Sequence, residues 1–191
     1  MPPVPYRRVA GVLAPLFSLR STRSWGVGEL RDLAAFSSWM RDAGLSLLQL
    51  LPINEMAPGQ DSPYSAMASA AIDPVFISPE AMAEFEAAGG RDALPIEARD
   101  ALAAAVAAAR IDFPAVRRAK HAAFAIAWDA FRGSASFDAF RAREAYWLDD
   151  YALFRAITDE RADGPGWMSW PAPLRNREPA ALDEARARLR G

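Results

Sequence analysis

The sequence predicts an α/β protein: a parallel βαβ unit at its start and a mainly helical part behind it. Three observations carry that reading. Two short apolar runs, Val9–Phe17 and Leu45–Leu51, are separated by a segment of helical periodicity. Strand, helix and strand within about forty residues form a crossover unit, which places the two strands parallel. From Pro79 onward alanine dominates and the texture turns helical.

Val9–Phe17 reads as a buried strand, ended by Ser18-Leu19-Arg20-Ser21-Thr22. A loop with Trp25-Gly26-Val27-Gly28 follows. Glu29–Ala43 reads as a helix, because Leu33, Phe36, Met40 and Ala43 recur at helical spacing on one face. Glu29 and Asp32 suit its positive N-terminal end, and Gly44 suits its C-terminal stop. Leu45–Leu51 is the second buried run, stopped by Pro52. Ile72–Ile77 reads as a short further strand, although Pro74 argues against it. Pro79–Ala88 reads as a short helix ended by Gly89-Gly90, and Glu97–Arg110 as a plain helix of high propensity. Pro114 opens another helix. On it His121, Phe124, Trp128 and Phe131 share a face, so His121 reads as a core histidine. Ser136 is placed to cap the next helix, whose one side carries Phe140, Trp147, Tyr151 and Phe154. Gly164-Pro165-Gly166 reads as a turn. Trp167–Pro171 reads as an irregular aromatic segment packed on the core, and Glu178–Arg190 as a polar helix.

Composition narrows the function. The 191 residues carry 22 basic and 24 acidic side chains, net charge −2, which is too balanced for a nucleic-acid or anionic-membrane surface. There is no cysteine, so neither a disulfide framework nor a thiolate metal site is available, and the single His121 excludes a multi-histidine site. The apolar stretches are far shorter than a membrane span. The opening Met1–Arg8 lacks the pattern of a signal peptide, so the expected compartment is the cytoplasm.

The segment that points most directly to chemistry is Asp61-Ser62-Pro63-Tyr64, in the loop after Leu45–Leu51. A strand opening into a polar, aromatic-bearing loop is where α/β enzymes place their sites. Other groups have plainer readings. Asp149-Asp150 are helix neighbours that do not face each other. Gly26-Val27-Gly28 lacks the lysine of a phosphate loop, and Glu29 would repel an anion. Trp25 reads as a loop anchor.

Several segments, in order along the chain, resemble the 4-α-glucanotransferases of glycoside hydrolase family 77. Gly11-Val12-Leu13-Ala14-Pro15-Leu16-Phe17-Ser18-Leu19 is similar to that family's opening. Trp25-Gly26-Val27-Gly28-Glu29-Leu30 resembles its Gly-Ile-Gly-Asp segment, and Leu48-Gln49-Leu50-Leu51-Pro52 its Trp-Gln-x-Leu-Pro strand end. Ser62-Pro63-Tyr64-Ser65 resembles Ser-Pro-Tyr-Gln, and Asp73-Pro74-Val75-Phe76-Ile77 resembles Asn-Pro-x-x-Ile. Trp147–Phe154, Trp167–Pro171 and Leu174-Arg175 follow in the expected order.

The resemblance implies the opening βαβ part of a (β/α)8 TIM barrel over 1–78 and a helical insertion subdomain over 79–191. It implies transfer of α-1,4-glucan segments with retention, without metal or organic cofactor. A retaining enzyme needs two carboxyl groups. The family's motifs for them, resembling Arg-x-Asp-His-Phe-Arg, Glu-Asp-Leu-Gly and His-Asp, are absent from this sequence. A closed barrel also needs roughly 250 residues. The expectation is an N-terminal fragment, inactive alone, whose partners are the glucan and the remainder of the barrel.

The resemblance carries a sugar-lining role to Ser62 and Tyr64. A tyrosine ring stacks on the apolar face of a sugar and its hydroxyl bonds the rim, while serine donates and accepts. For Tyr64 the alternative is packing on the protein's own surface. Asp61 either bonds sugar hydroxyls or forms the turn before Ser-Pro. Two rival readings of the whole chain are a non-catalytic glucan-binding module and a helical interaction protein working through 79–191.

Overall fold

The computed structural model describes residues 8–57, 59–161 and 166–189. The chain divides into two compact units between Arg132 and Gly133. The first opens with the expected crossover: strand β1 (Gly11–Ala14), helix α1 (Asp32–Asp42) and strand β2 (Leu47–Leu50). The strands pair in parallel, Gly11 opposite Leu47 and Ala14 opposite Leu50. Helix α1 ends where Gly44 adopts φ +75°. The amides of Gly44 and Leu45 reach back to the carbonyls of Arg41 and Met40 at 3.0 and 2.8 Å. That paired closure needs a left-handed residue, which glycine supplies without strain.

Three expectations for this region are corrected. The strands are shorter than the apolar runs and are not buried on both faces: Leu13 is 59% and Leu47 52% exposed. Strand side chains alternate, and only the side bearing Val12, Ala14, Leu48 and Leu50 is covered. Ile72–Ile77 is not a strand. Pro74 has no N–H for a ladder, so Pro74–Phe76 forms a 3-10 turn capped by Asp73, and only Ile72 bridges, antiparallel, to Asn54. Glu29 is not in the first turn of α1, which begins at Asp32; it is buried instead.

Helices α2 (Ala83–Ala87), α3 (Ile96–Ala107) and α4 (Phe113–Ala130) complete the first unit. The carboxylate of Asp112 caps α4, accepting from the Ala115 amide at 2.9 Å. Helix α4 buries Ala115, Val116, Ala119, Lys120, Ala123 and Ala127, and α3 buries Ala98, Ala101, Leu102 and Ala105. Two alanine surfaces allow close approach, so the small-residue stripe turns inward and the aromatic one does not. His121 is therefore exposed, not a core histidine, and Trp128 is exposed with its ring stacked on Phe131.

The second unit contains α5 (Ala135–Glu160), α6 (Ala172–Arg175) and α7 (Pro179–Arg188). Its cap is Ser134 rather than Ser136: the Ser134 hydroxyl accepts from the Phe137 amide at 3.1 Å. The local core gathers Leu153, Ile157, Trp170 and Ala185, so the C-terminal half of α5 is the covered half, while Phe140 stays exposed. Of the expected turn at 164–166 only Gly166 is described; the rest, like Met1–Arg7, lies outside the described residues. No described helix is long and apolar enough to cross a membrane.

Candidate functional site

The polar loop leaves β2 at Leu51 and returns at Ile72. Its two arms pair as an irregular hairpin. The Glu55 amide donates to the Ala71 carbonyl at 3.0 Å, Met67 to Glu55 at 2.7 Å, Ala57 to Ser65 at 3.0 Å and Asp73 to Ile53 at 2.9 Å. Asn54 Nδ2 donates to the Ser69 carbonyl at 2.8 Å. Met56 points into the core beside Val75 and Phe76.

Asp61, Ser62 and Tyr64 come together at the tip. The Ser65 amide donates to the Ser62 carbonyl at 3.0 Å, and the Tyr64 amide faces the Ser62 hydroxyl at 3.4 Å. The turn thus uses Ser62 locally. Tyr64 is 73% exposed. Among the described residues its ring makes no ring contact, and neither its hydroxyl nor the exposed Asp61 carboxylate makes a hydrogen bond.

The loop root is held by charge. Asp73 is fully buried, and its Oδ2 accepts from the Met56 amide at 3.0 Å while Oδ1 accepts from Val75 at 3.0 Å. Arg117 of α4 donates to both oxygens, at 3.2 and 2.8 Å. One turn further along, Lys120 is buried with Nζ donating to Glu29 Oε1 (2.6 Å) and to the carbonyls of Val75 (2.5 Å) and Ile77 (2.7 Å). Burial lowers the Lys120 pKa, and the Glu29 carboxylate offsets only part of that. Glu29 Oε1 also accepts from the Trp25 amide at 3.2 Å. Beside it Asp32 accepts from Ser21, Ser24 and the Glu29 amide.

Sequence reasoning named Asp73 only within the segment resembling Asn-Pro-x-x-Ile, did not single out Arg117 or Lys120, and assigned Glu29 to a helix terminus. The available signal was Arg117 and Lys120 three residues apart, hence on one face, with Lys120 inside the period of the buried alanines.

The other singled-out groups lie elsewhere in the fold. Trp25 is buried against Phe85, ring centroids 5.9 Å apart. A Cβ on Gly28 would stand 2.1 Å from the Leu16 carbonyl oxygen, so this glycine serves close packing rather than phosphate. Trp170 packs on Phe154 at 5.4 Å, and both line a cavity of about 160 Å³ together with the half-exposed Trp167. Asp149 and Asp150 are exposed, and Asp150 pairs with Arg177 at 2.6 Å. No three acidic or histidine side chains among the described residues are grouped to hold a metal ion.

Residues 14–191 match the family described as 4-alpha-glucanotransferase. The chain is 35% identical over 172 residues to the 4-alpha-glucanotransferase of Thermus thermophilus, covering 86% of this chain and 32% of that protein. It is 31% identical over 186 residues to the one of Aquifex aeolicus, covering 96% and 36%. It is 30% identical over 176 residues to the one of Chlamydia pneumoniae, covering 88% and 32%. The chain therefore spans about a third of the length of these curated relatives.

Proposed function

Because this chain belongs to glycoside hydrolase family 77, the 4-alpha-glucanotransferases, we propose that it forms the N-terminal portion of a cytoplasmic enzyme of that activity. That enzyme moves α-1,4-glucan segments between maltooligosaccharides or starch-like glucans with retention. On this reading 1–78 begin a (β/α)8 barrel and 79–191 are a helical insertion. Residues Ser62, Tyr64 and Asp61 contact the glucan, no cofactor is needed, and the two carboxyl groups of the displacement lie outside these 191 residues.

The observation that carries the proposal is the geometry of Tyr64. An exposed ring with no partner among the described residues stands on a hairpin whose root is fixed by buried charge. The hairpin emerges from the C-terminal end of a parallel strand, the end at which barrel enzymes build their sites. A ring held that way stacks on a sugar face at little ordering cost.

Two assays on the purified 191-residue chain test this. Calorimetric titration with maltoheptaose is expected to show binding that is lost in Tyr64→Ala. A glucose-release assay on maltotriose is expected to show no turnover. Robust turnover would refute the placement of the carboxyl groups, and binding indifferent to Tyr64 would refute the site.

A further inference from the structure

We propose that Arg117 and Asp73 are a positioning pair that sets the Ser62–Tyr64 turn from outside the loop, so that glucan affinity there depends on helix α4; this rests on the glucan-contacting reading of the loop. The buried Asp73 carboxylate joins three pieces of chain. Its Oδ2 holds the Met56 amide on the outgoing arm, and its Oδ1 holds the Val75 amide beyond the returning arm. The Arg117 fork takes both oxygens at once, from a residue 44 positions away. Two parallel bonds fix orientation as well as distance, which a lysine at this position would not do.

The arrangement is specific to a carboxylate. The segment that 73–77 resembles carries asparagine first. An amide side chain accepts through one oxygen only, and so cannot hold both backbone amides and a guanidinium fork. The two arms are also joined by backbone bonds and by the Asn54 side chain, below an exposed tip. With the Asp73 charge unpaired inside the root, that hairpin opens more often, and the Tyr64 ring loses its fixed bearing.

Arg117 is part-exposed, so Arg117→Met is expected to fold. Amide hydrogen exchange on the intact chain then reads the loop directly. At Ala57 and Met67 exchange is expected to rise about tenfold, with the β1–β2 amides unchanged. The double variant Asp73→Asn/Arg117→Met removes the stranded charge but leaves one of the Met56 and Val75 amides without its acceptor, so those rates are expected to return only part of the way, staying above the original and below Arg117→Met. Maltoheptaose affinity is expected to fall about fivefold or more in Arg117→Met and to recover in part in Arg117→Lys.

Unchanged loop exchange in Arg117→Met overturns the proposal, as does faster exchange with undiminished affinity in a chain that binds maltoheptaose. Faster loop exchange in a chain that never binds maltoheptaose supports the pair as the loop's positioning device and refutes the glucan reading instead.

Discussion

Replacing Lys120 by methionine tests how this core holds its charges. The ammonium is nearly inaccessible and places all three of its protons, on Glu29, Val75 and Ile77. Methionine fills much of the same volume, so the change is chiefly electrostatic. It strands the Glu29 carboxylate, which among the described residues keeps only the Trp25 amide at 3.2 Å, and deprives the buried Val75 carbonyl and the part-buried Ile77 carbonyl of their donor. Removing one member of a buried pair costs about 3–5 kcal/mol. At about 2–4 °C per kcal/mol for a chain of this size, the melting temperature should fall by roughly 6–20 °C.

The double variant Glu29→Gln/Lys120→Met separates the stranded charge from lost packing. With both charges gone, most of the loss should return, leaving the variant within about 1–2 kcal/mol of the original chain. Urea unfolding followed by circular dichroism reads both. The pH dependence has a definite sign. Folding lowers the Lys120 pKa, so between the lowered value and the usual lysine value the unfolded chain binds more protons than the folded one. The lysine's contribution to stability is complete above the usual value and is lost as pH falls through the lowered one. The original chain should therefore gain stability relative to Lys120→Met as pH rises through that window. A Lys120→Met variant within about 1 kcal/mol of the original at neutral pH, or a double variant no better than the single, would refute this account of the core.

Tyr64→Ala should leave the unfolding midpoint within about 0.5 kcal/mol, because the ring is exposed, while abolishing maltoheptaose binding in calorimetry. Gly28→Ala should destabilise by on the order of 3 kcal/mol, since the new methyl meets the Leu16 backbone rather than a flexible side chain; thermal melting would show it. Ser134→Ala removes the hydroxyl that caps α5 and should cost about 1 kcal/mol, read in the unfolding of the second unit by circular dichroism.

The crossover was legible because each of its parts has a local signal. Apolar runs marked both strands, Gly44 marked the end of α1, and Pro74 told against a third strand. What was not legible depends on which surface meets which. Helix α4 carries two stripes at helical spacing, one of alanines with Lys120 and one of His121, Phe124 and Trp128, and the sequence reading took only the second. Hydrophobicity favours the second as core. The alanine-rich α3 opposite it accepts only a small-residue partner, and that fact lies in another segment of chain. For the same reason Glu29 looked like a helix-terminal acid: its partner Lys120 is 91 positions away. At the candidate site the exposed tip was visible as Ser-Pro-Tyr, whereas its root was not, since Asp73 and Arg117 are joined only by the fold.

Those long-range pairs bear on how the two sequence regions are related. Residues 73–77 close the loop and lead out of the first region, and the cations that hold them belong to α4. Arg117 holds the Asp73 side chain, and Lys120 holds the backbone at Val75 and Ile77. Val75 and Phe76 are buried in one cluster with Ala115 and Val116. Helix α4 is thus the inner wall of the loop root, and Lys120 also reaches Glu29 ahead of α1. Without α4 the segment before residue 79 would lose the cations that face the Asp73 and Glu29 carboxylates among the described residues, and Val75 and Phe76 would lose the cover of Ala115 and Val116. An unpaired charge and bare apolar surface at the same place oppose folding from both sides. A helical region that supplies the counter-charges of a loop's root is therefore part of what holds that loop in place.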